Sequence, residues 1–540
     1  MLFSTAVISS LLAVAAALPE KRAANPTVTI ASGVLIGTAT RVSNQPSVTA
    51  LASAFIGIPF ASNPPRRFEP PSPPSKWSAS LTVQTNKPIC LQQQSPGALG
   101  QKVKADFNNP VRGPDPVEDE SCLYLSVYAP PDASPSSLKT VMFWLYGGNL
   151  AGGGSAVNAY NGSSLAVNED VVVVVPNYRT NIFGFSNSPD VPFGKQNSGF
   201  LDQRFALQWV QQNIAKFGGD PAKVTLFGES AGGYSIKQLL ANPPSPLPFR
   251  AAILESTGFG GSGNSTANFL NVSNHFGCTT PSTRLACLQG KDARQIQYYV
   301  GNNSLSFQPV IGDGTSSGTQ TNLNIANGTF ANVSVMLGSN YNEARIFLSE
   351  LGIDNSTAVT DGVLAVTGVD VSGLNLSGLY PAPIAEANYV LIDRIATDLV
   401  FTCTTSLLAG ALRDRKNGAP VWRYRYDGAF PDVSIYPNVG AYHSSEIFEV
   451  FGTYPVKNQF GSVTPDQISL ANYMQGAWAS FAKDPSKGPG WNQYGKNFND
   501  LAILGGVNNT AGLSQQNEIL TADYPCVVFD PLLLLTNSAY

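Results

Sequence analysis

Two stretches of the chain, residues 140–146 (TVMFWLY) and 170–176 (DVVVVVP), are almost wholly apolar and too short for a helix of ordinary length. A strand with one wet face would alternate polar and apolar residues, so these read as strands covered on both faces, the environment of a parallel sheet. Residues 200–217 place Leu201, Phe205, Leu207, Val210 and Ile214 at helical spacing and end at Gly218-Gly219. Residues 223–227 (KVTLF) then predict a short strand and residues 231–240 a helix, with further strands at 251–255, 333–338 and 421–426. Strands alternating with helices predict an α/β fold: a large, mostly parallel central sheet covered by helices on both faces. No repeat or low-complexity linker interrupts the chain, so residues 23–540 read as a single domain.

Charged residues make up only 13% of the chain, against about 25% in an average globular protein, so something else must keep the surface wet. Nine Asn-x-Ser/Thr sequons, at Asn161, Asn264, Asn271, Asn302, Asn327, Asn332, Asn355, Asn375 and Asn508, offer N-linked glycans for that role. Net charge is only −4 and no extended basic run occurs, which argues against nucleic acid or an anionic membrane surface as partner. Residues 1–17 read as a signal peptide, an apolar stretch closing on Ala15, Ala16 and Ala17 and too short to span a bilayer comfortably. Residues 18–22 read as a short pro-segment ending in the dibasic Lys21-Arg22. The mature chain is then expected to be secreted and extracellular, with no integral membrane segment; the apolar run at 532–535 is too short for one and reads as a core segment. In an oxidising compartment the six cysteines are expected to form three disulfides. With two histidines in all and no C-x-x-C, no metal site is expected.

Between the KVTLF strand and the following helix stands Gly228-Glu229-Ser230-Ala231-Gly232. A G-x-S-x-G sequence matters only in this strand-turn-helix setting, where a sharp turn lifts the serine hydroxyl above the sheet edge. Both flanking positions then press on neighbouring backbone, which a Cβ would obstruct. The helix that starts after Ser230 aims its free N–H groups at an oxygen that becomes negative during acyl transfer.

At this point the sequence resembles the type-B carboxylesterase and lipase family. Residues 217–232 (FGGDPAKVTLFGESAG) are similar to the family's serine signature, and residues 118–127 (EDESCLYLSV) to its second signature with one residue inserted. Residues 55–61 (FIGIPFA), 177–185 (NYRTNIFGF) and 201–214 (LDQRFALQWVQQNI) continue the resemblance, which runs from about residue 28 to the C-terminus. Residues 309–314 (PVIGDG) and 420–431 (PVWRYRYDGAFP) look closest to secreted fungal members. The resemblance implies an α/β-hydrolase fold, ester hydrolysis without a cofactor, and disulfides joining Cys90 to Cys122, Cys278 to Cys287 and Cys403 to Cys526.

It also implies a triad. Ser230 is the nucleophile, and His443 is the base by resemblance and because the only other histidine, His275, lies among sequons and reads as a surface residue. Glu343, directly after the strand at 333–338, matches the family's acid; Asp313 and Glu446 are the competitors. Where the family usually shows His-Gly-Gly-Gly, this chain has Tyr146-Gly147-Gly148-Asn149. The oxyanion donors implied are the backbone N–H groups of Gly148, Asn149 and Ala231, and asparagine tolerates left-handed backbone angles better than other side chains.

The segment closed by the first disulfide contains Phe107 but no Trp or Tyr, which disfavours a quaternary ammonium ester. Leu99, Val103 and Phe107 hint weakly at an amphipathic lid. The expected substrate is therefore a soluble or aromatic-acid ester, with lipase or sterol esterase action on lipid esters as the alternative. A catalytically inactive adhesion protein on the same fold is the rival of another class; it is disfavoured because Ser230, Glu343 and His443 are all present.

Overall fold

Every stretch read as a doubly covered strand lies in one eleven-stranded sheet of the computed structural model, which describes residues 25–42, 44, 48–93, 107, 115–258, 265–317, 328–380, 387–455 and 460–535. The proposed signal peptide and pro-segment lie outside these residues. In chain order the strands are β1 (Thr27–Ile30), β2 (Gly33–Ile36), β3 (Thr38–Arg41), β4 (Leu51–Pro59), β5 (Leu81–Thr82), β6 (Tyr124–Ala129) and β7 (Lys139–Leu145). They continue as β8 (Val172–Pro176), β9 (Gly219–Glu229), β10 (Ala251–Glu255), β11 (Ser334–Asn340), β12 (Val421–Tyr426), β13 (Leu501–Leu504) and β14 (Leu513–Gln516). The large sheet has the order β14-β13-β12-β11-β10-β9-β7-β8-β6-β4-β3, while β1, β2 and β5 form a small sheet of their own.

From β8 across to β13 every neighbouring pair is parallel. The pairs β13/β14, β8/β6, β6/β4 and β4/β3 are antiparallel. Burial follows the apolar pattern: Val141 to Leu145 and Val172 to Val175 have no exposed surface, because helices cover both faces of the middle of the sheet. Boundaries differ from the sequence reading where a turn intervenes. β8 starts at Val172, since Asp170 ends the helix Ser163–Glu169 in a left-handed conformation with φ +52°. β9 begins four residues early, at Gly219, because Lys139 pairs with that glycine before the register shifts.

A parallel sheet gathers the loops after its strands at one edge, and that is where this fold collects its chemistry. Ser230 follows β9, Glu343 follows β11, His443 lies beyond β12, and Gly148 and Asn149 follow β7. Loops beneath the site are anchored by polar contacts. Asp202, fully buried on the helix Ser198–Asn213, accepts from the Arg179 backbone at 3.0 Å and from its guanidinium at 2.7 and 2.8 Å. Arg67 binds Glu120 in two-pronged fashion at 2.6 Å.

Disulfides join Cys90 to Cys122, Cys278 to Cys287 and Cys403 to Cys526. The last closes 123 residues and ties the helix Cys526–Leu535, which contains the apolar run at 532–535, to the helix Cys403–Asp414. The helical stretch Asn388–Asp414 is long and apolar enough to cross a membrane by length and composition, but 67% of its most apolar window is buried inside the protein.

Candidate active site

Ser230 stands between β9 and the helix Ala231–Ala241 with φ +54° and ψ −122°, a conformation that a residue with a side chain holds only when its surroundings enforce it. Those surroundings are glycines. A Cβ on Gly232 would lie 1.9 Å from the carbonyl oxygen of Leu145, and one on Gly228 would lie 2.6 Å from the same oxygen. The turn is thus pressed onto the end of β7 at a separation only bare backbone permits. Its other side is held by the Ser230 N–H, which donates to the Glu255 carbonyl at 2.9 Å, and by the Tyr234 N–H, which donates to the Ser230 carbonyl at 2.8 Å.

Gly147 closes the gap on the opposite side, where an added Cβ would stand 2.6 Å from Glu229 Oε2 and 3.0 Å from Ser230 Cβ. Gly148, Asn149 and Leu150 all have positive φ, at +98°, +54° and +55°. Asn149 therefore occupies the left-handed region expected of it. Among the described residues no hydrogen bond occupies the N–H groups of Gly148, Asn149 or Ala231, and Gly148 and Asn149 are exposed. The base of the loop is fixed by Tyr146, which stacks on Tyr178 with ring centroids 4.2 Å apart. Each tyrosine hydroxyl donates to the other's carbonyl, at 2.9 and 2.8 Å, and the Tyr178 N–H donates back to the Tyr146 hydroxyl. The departure from the family's usual histidine thus puts a reciprocally bonded aromatic pair under the loop.

Glu343 and His443 meet. His443 Nδ1 lies 2.5 Å from Glu343 Oε2, while Glu343 Oε1 accepts from the Asn340 N–H at 2.6 Å, and Glu343 has no exposed surface. The two loops are pinned by a bridge between Asn342 and Tyr442, with the Asn342 N–H donating to the Ala441 carbonyl at 2.9 Å. Asn342 and Arg345 each bind Asp393 at 2.8 Å, which braces the pair from behind. Phe401 and Phe347 flank the imidazole, with centroids 4.9 and 5.3 Å from it.

Ser230 and His443 are not hydrogen-bonded to each other in this structure. His443 Nε2 lies instead 3.2 Å from Glu229 Oε1, which also accepts from Ser444 Oγ at 2.5 Å. The competing acids have other partners. Asp313 holds its own turn by accepting from the Thr315 N–H and hydroxyl at 2.8 and 2.6 Å and from the Ser316 N–H. Glu446 accepts from Asn340 Nδ2 at 2.5 Å, so it buttresses the residue that holds Glu343. His275 is exposed and stacks on Tyr299 at 3.8 Å. Leu99 and Val103 lie outside the described residues; Phe107 is buried against Phe448 and Tyr160, at centroid distances of 5.0 and 6.3 Å.

Electrostatically the site is an acidic pocket around an imidazole. Burial disfavours the charged ring of His443, but Glu229 and Glu343, with Glu350 behind them, outweigh it and push the imidazolium up to about 9. Burial pushes Glu229 up to about 7, against the pull of His443 and the Ser444 hydrogen bond. It likewise pushes Glu255 up to about 8, although the Trp478 N–H donates to that carboxyl at 2.9 Å. Glu446 is held well above the usual carboxylate range by burial and by the other glutamates. Glu229, Ser444, Tyr146 and Tyr178 are the site residues that sequence reasoning missed. Glu229 occupies the variable position before the serine, and the signal at Tyr146 was its departure from the family's usual histidine, which does not reveal its partner Tyr178.

Comparison with known proteins agrees with this architecture. The profile of the Carboxylesterase family matches residues 24–366 and 381–518. Carboxylesterase 1F of Mus musculus is 30% identical over 538 residues, covering 92% of each chain. Carboxylesterase 1C of Rattus norvegicus is 32% identical over 485 residues, 84% of this chain and 86% of its own. Cocaine esterase of Homo sapiens is 37% identical over 328 residues, 59% of this chain and 56% of its own. The sheet and these matches define an α/β-hydrolase that hydrolyses carboxylic esters with a serine nucleophile. The chain belongs to the carboxylesterase family.

The serine turn makes a direct prediction. Gly232→Ala puts a Cβ into the Leu145 carbonyl, which cannot yield without moving β7, so folded yield and esterase turnover should both collapse. Gly410→Ala, on the helix Cys403–Asp414 with open space around it, should leave turnover unchanged and add about 0.5–1 kcal/mol of stability in a denaturant titration. Normal turnover in folded Gly232→Ala would contradict the steric account.

Proposed function

We propose that Ser230, His443 and Glu343 act as nucleophile, base and orienting acid in a two-step hydrolysis of carboxylic esters. The observation that carries this reading is the 2.5 Å contact between His443 Nδ1 and Glu343 Oε2, made at the edge of the sheet that also carries the strained Ser230. His443 Nε2 takes the hydroxyl proton as Ser230 Oγ bonds to the ester carbonyl carbon, and the imidazolium returns that proton to the departing alkoxide. Water then repeats the sequence on the acyl-enzyme and releases the acid. Glu343 fixes the ring and stabilises its charged form throughout. The oxygen that becomes negative is received by the N–H groups of Gly148, Asn149 and Ala231.

The family match fits small-molecule esters, and we take soluble or aromatic-acid esters as the substrates, with lipid esters as the alternative. Phe347 and Phe401 present apolar rings beside His443, where the departing alcohol is protonated, and they favour an apolar group there. Secretion is part of the same reading, resting on the apolar N-terminus, the three disulfides and the sequons. Asn271, Asn302, Asn332, Asn355, Asn375 and Asn508 are exposed. Asn161 is half-buried, so a glycan on its Nδ2 has less room than at the six exposed sites; its Oδ1 accepts from the Ser163 N–H and hydroxyl at 3.0 and 2.6 Å. Asn264 and Asn327 lie outside the described residues.

Ser230→Ala and His443→Ala should each lower kcat by at least about a thousandfold on a chromogenic ester, whereas His275→Ala should leave both kinetic constants unchanged. Substantial turnover by purified, folded Ser230→Ala removes that residue from the mechanism. For the oxyanion loop, Asn149→Gly keeps the donor and should hold kcat within a few-fold, while Asn149→Pro removes it and should cost about a hundredfold or more. A folded proline variant with normal kcat means that other groups receive the charge. Peptide mapping after enzymatic release of glycans should find occupancy among the six exposed sequons and an unmodified Asn161. An occupied Asn161 overturns that assignment.

A further inference from the structure

Ser444 follows the candidate base directly and has φ +73°, in the left-handed region that residues bearing a Cβ rarely adopt. Glycine would sit there without strain, so a side chain at this position calls for a reason. Its hydroxyl supplies one by donating to Glu229 Oε1 at 2.5 Å, the same oxygen that lies 3.2 Å from His443 Nε2. The other carboxylate oxygen of Glu229 is tucked beneath Gly147, 2.6 Å from where a Cβ would stand, and Glu229 is 1% exposed. Glu229 is therefore held on one side by the oxyanion loop and on the other by the hydroxyl next to the base.

We infer that Ser444 is a positioning residue for the general base: its hydroxyl fixes the Glu229 carboxylate against the nucleophile-side nitrogen of His443, so that the ring is clasped between two carboxylates. This inference rests on the triad assignment above. Glu343 engages Nδ1 and Glu229 engages Nε2 in the resting site. When Nε2 takes the Ser230 proton, the imidazolium forms beside a second carboxylate already in place, and no proton or bond enters beyond those of ester hydrolysis. The clasp also sets the pH at which the base becomes available. The charged or titratable groups acting on His443 are Glu229, Glu343 and Glu350; Glu229 in turn interacts with Glu255, Glu343, Glu446, Tyr160, Tyr178 and Tyr424. Without the Ser444 hydroxyl, Glu229 keeps its burial and acidic neighbours but loses a donor to its ionised form, so it binds its proton more readily. A neutral Glu229 no longer supports the imidazolium, and His443 gives up its proton at lower pH.

The test is the pH dependence of kcat/KM on a soluble chromogenic ester, measured for the intact protein, Ser444→Gly and Ser444→Ala, with competent sites counted by organophosphate burst titration. In the wild type the acid limb should lie above the ordinary imidazole value of about 6.5. Both variants should move it down by roughly one pH unit, the scale of one hydrogen bond lost from a buried carboxylate, and should lower kcat more than they change KM. Ser444→Gly also relieves the left-handed side chain, so its Tm should hold or rise, which separates the hydroxyl from the fold. In a Glu229→Gln background, Ser444→Gly should add no further shift. Variants that titrate fully but keep the wild-type acid limb overturn the positioning role and leave the triad standing. Turnover surviving in Ser230→Ala overturns the triad reading itself.

Discussion

The contact between the Leu145 carbonyl and the bare backbone of Gly228 and Gly232 is the constraint on which the rest of the site depends. It seats the turn between β9 and its helix directly on the end of β7, and that closeness forces Ser230 into a conformation it would not adopt alone. The same packing brings Gly147 over Glu229 and Ser230, so the loop after β7 and the serine turn share one wall. Strain at Ser230 is tolerable because β7 and β9 are neighbours in a sheet buried on both faces, where a local relaxation would have to displace a close-packed core.

Around this turn the protein assembles more acid than base. Glu229, Glu255, Glu343 and Glu446 are all buried close to His443 or to one another, and burial leaves Glu255 and Glu446, which do not touch the imidazole, holding their protons readily. The two carboxylates that lie against the ring, Glu229 and Glu343, favour an imidazolium, the species that acyl transfer must create. The strand order explains how residues so far apart in sequence come together. β9, β10, β11 and β12 are consecutive in the sheet, so the loops that follow them emerge side by side.

The parts of this arrangement legible in the sequence are those in which burial or sterics leaves few choices. The runs at 140–146 and 170–176 announced central strands because alternation is lost when both faces are covered, and the serine turn announced itself by glycines that only bare backbone can satisfy. The antiparallel edges were not legible. β14 (LSQQ) and β3 (TATR) are polar, partly exposed strands whose composition matches a loop as well as a strand, and they are defined by their partners. Glu343 and His443 were identified by chain order and resemblance, since neither carries a local signal of its own. Glu229 and Ser444 were silent for a different reason: one fills a variable motif position and the other a backbone conformation that sequence does not record. The Tyr146–Tyr178 pair spans 32 residues and becomes visible only once β7 and β8 lie side by side.

All of this rests on Ser230 being the reactive group that the turn presents. Treating the intact protein with a fluorophosphonate and locating the adduct by peptide mass spectrometry tests that claim most directly. A single adduct on Ser230, formed at one per chain and prevented by prior unfolding, is the result the account predicts. An adduct on another serine, or no adduct on a folded and hydrolytically active protein, would contradict it.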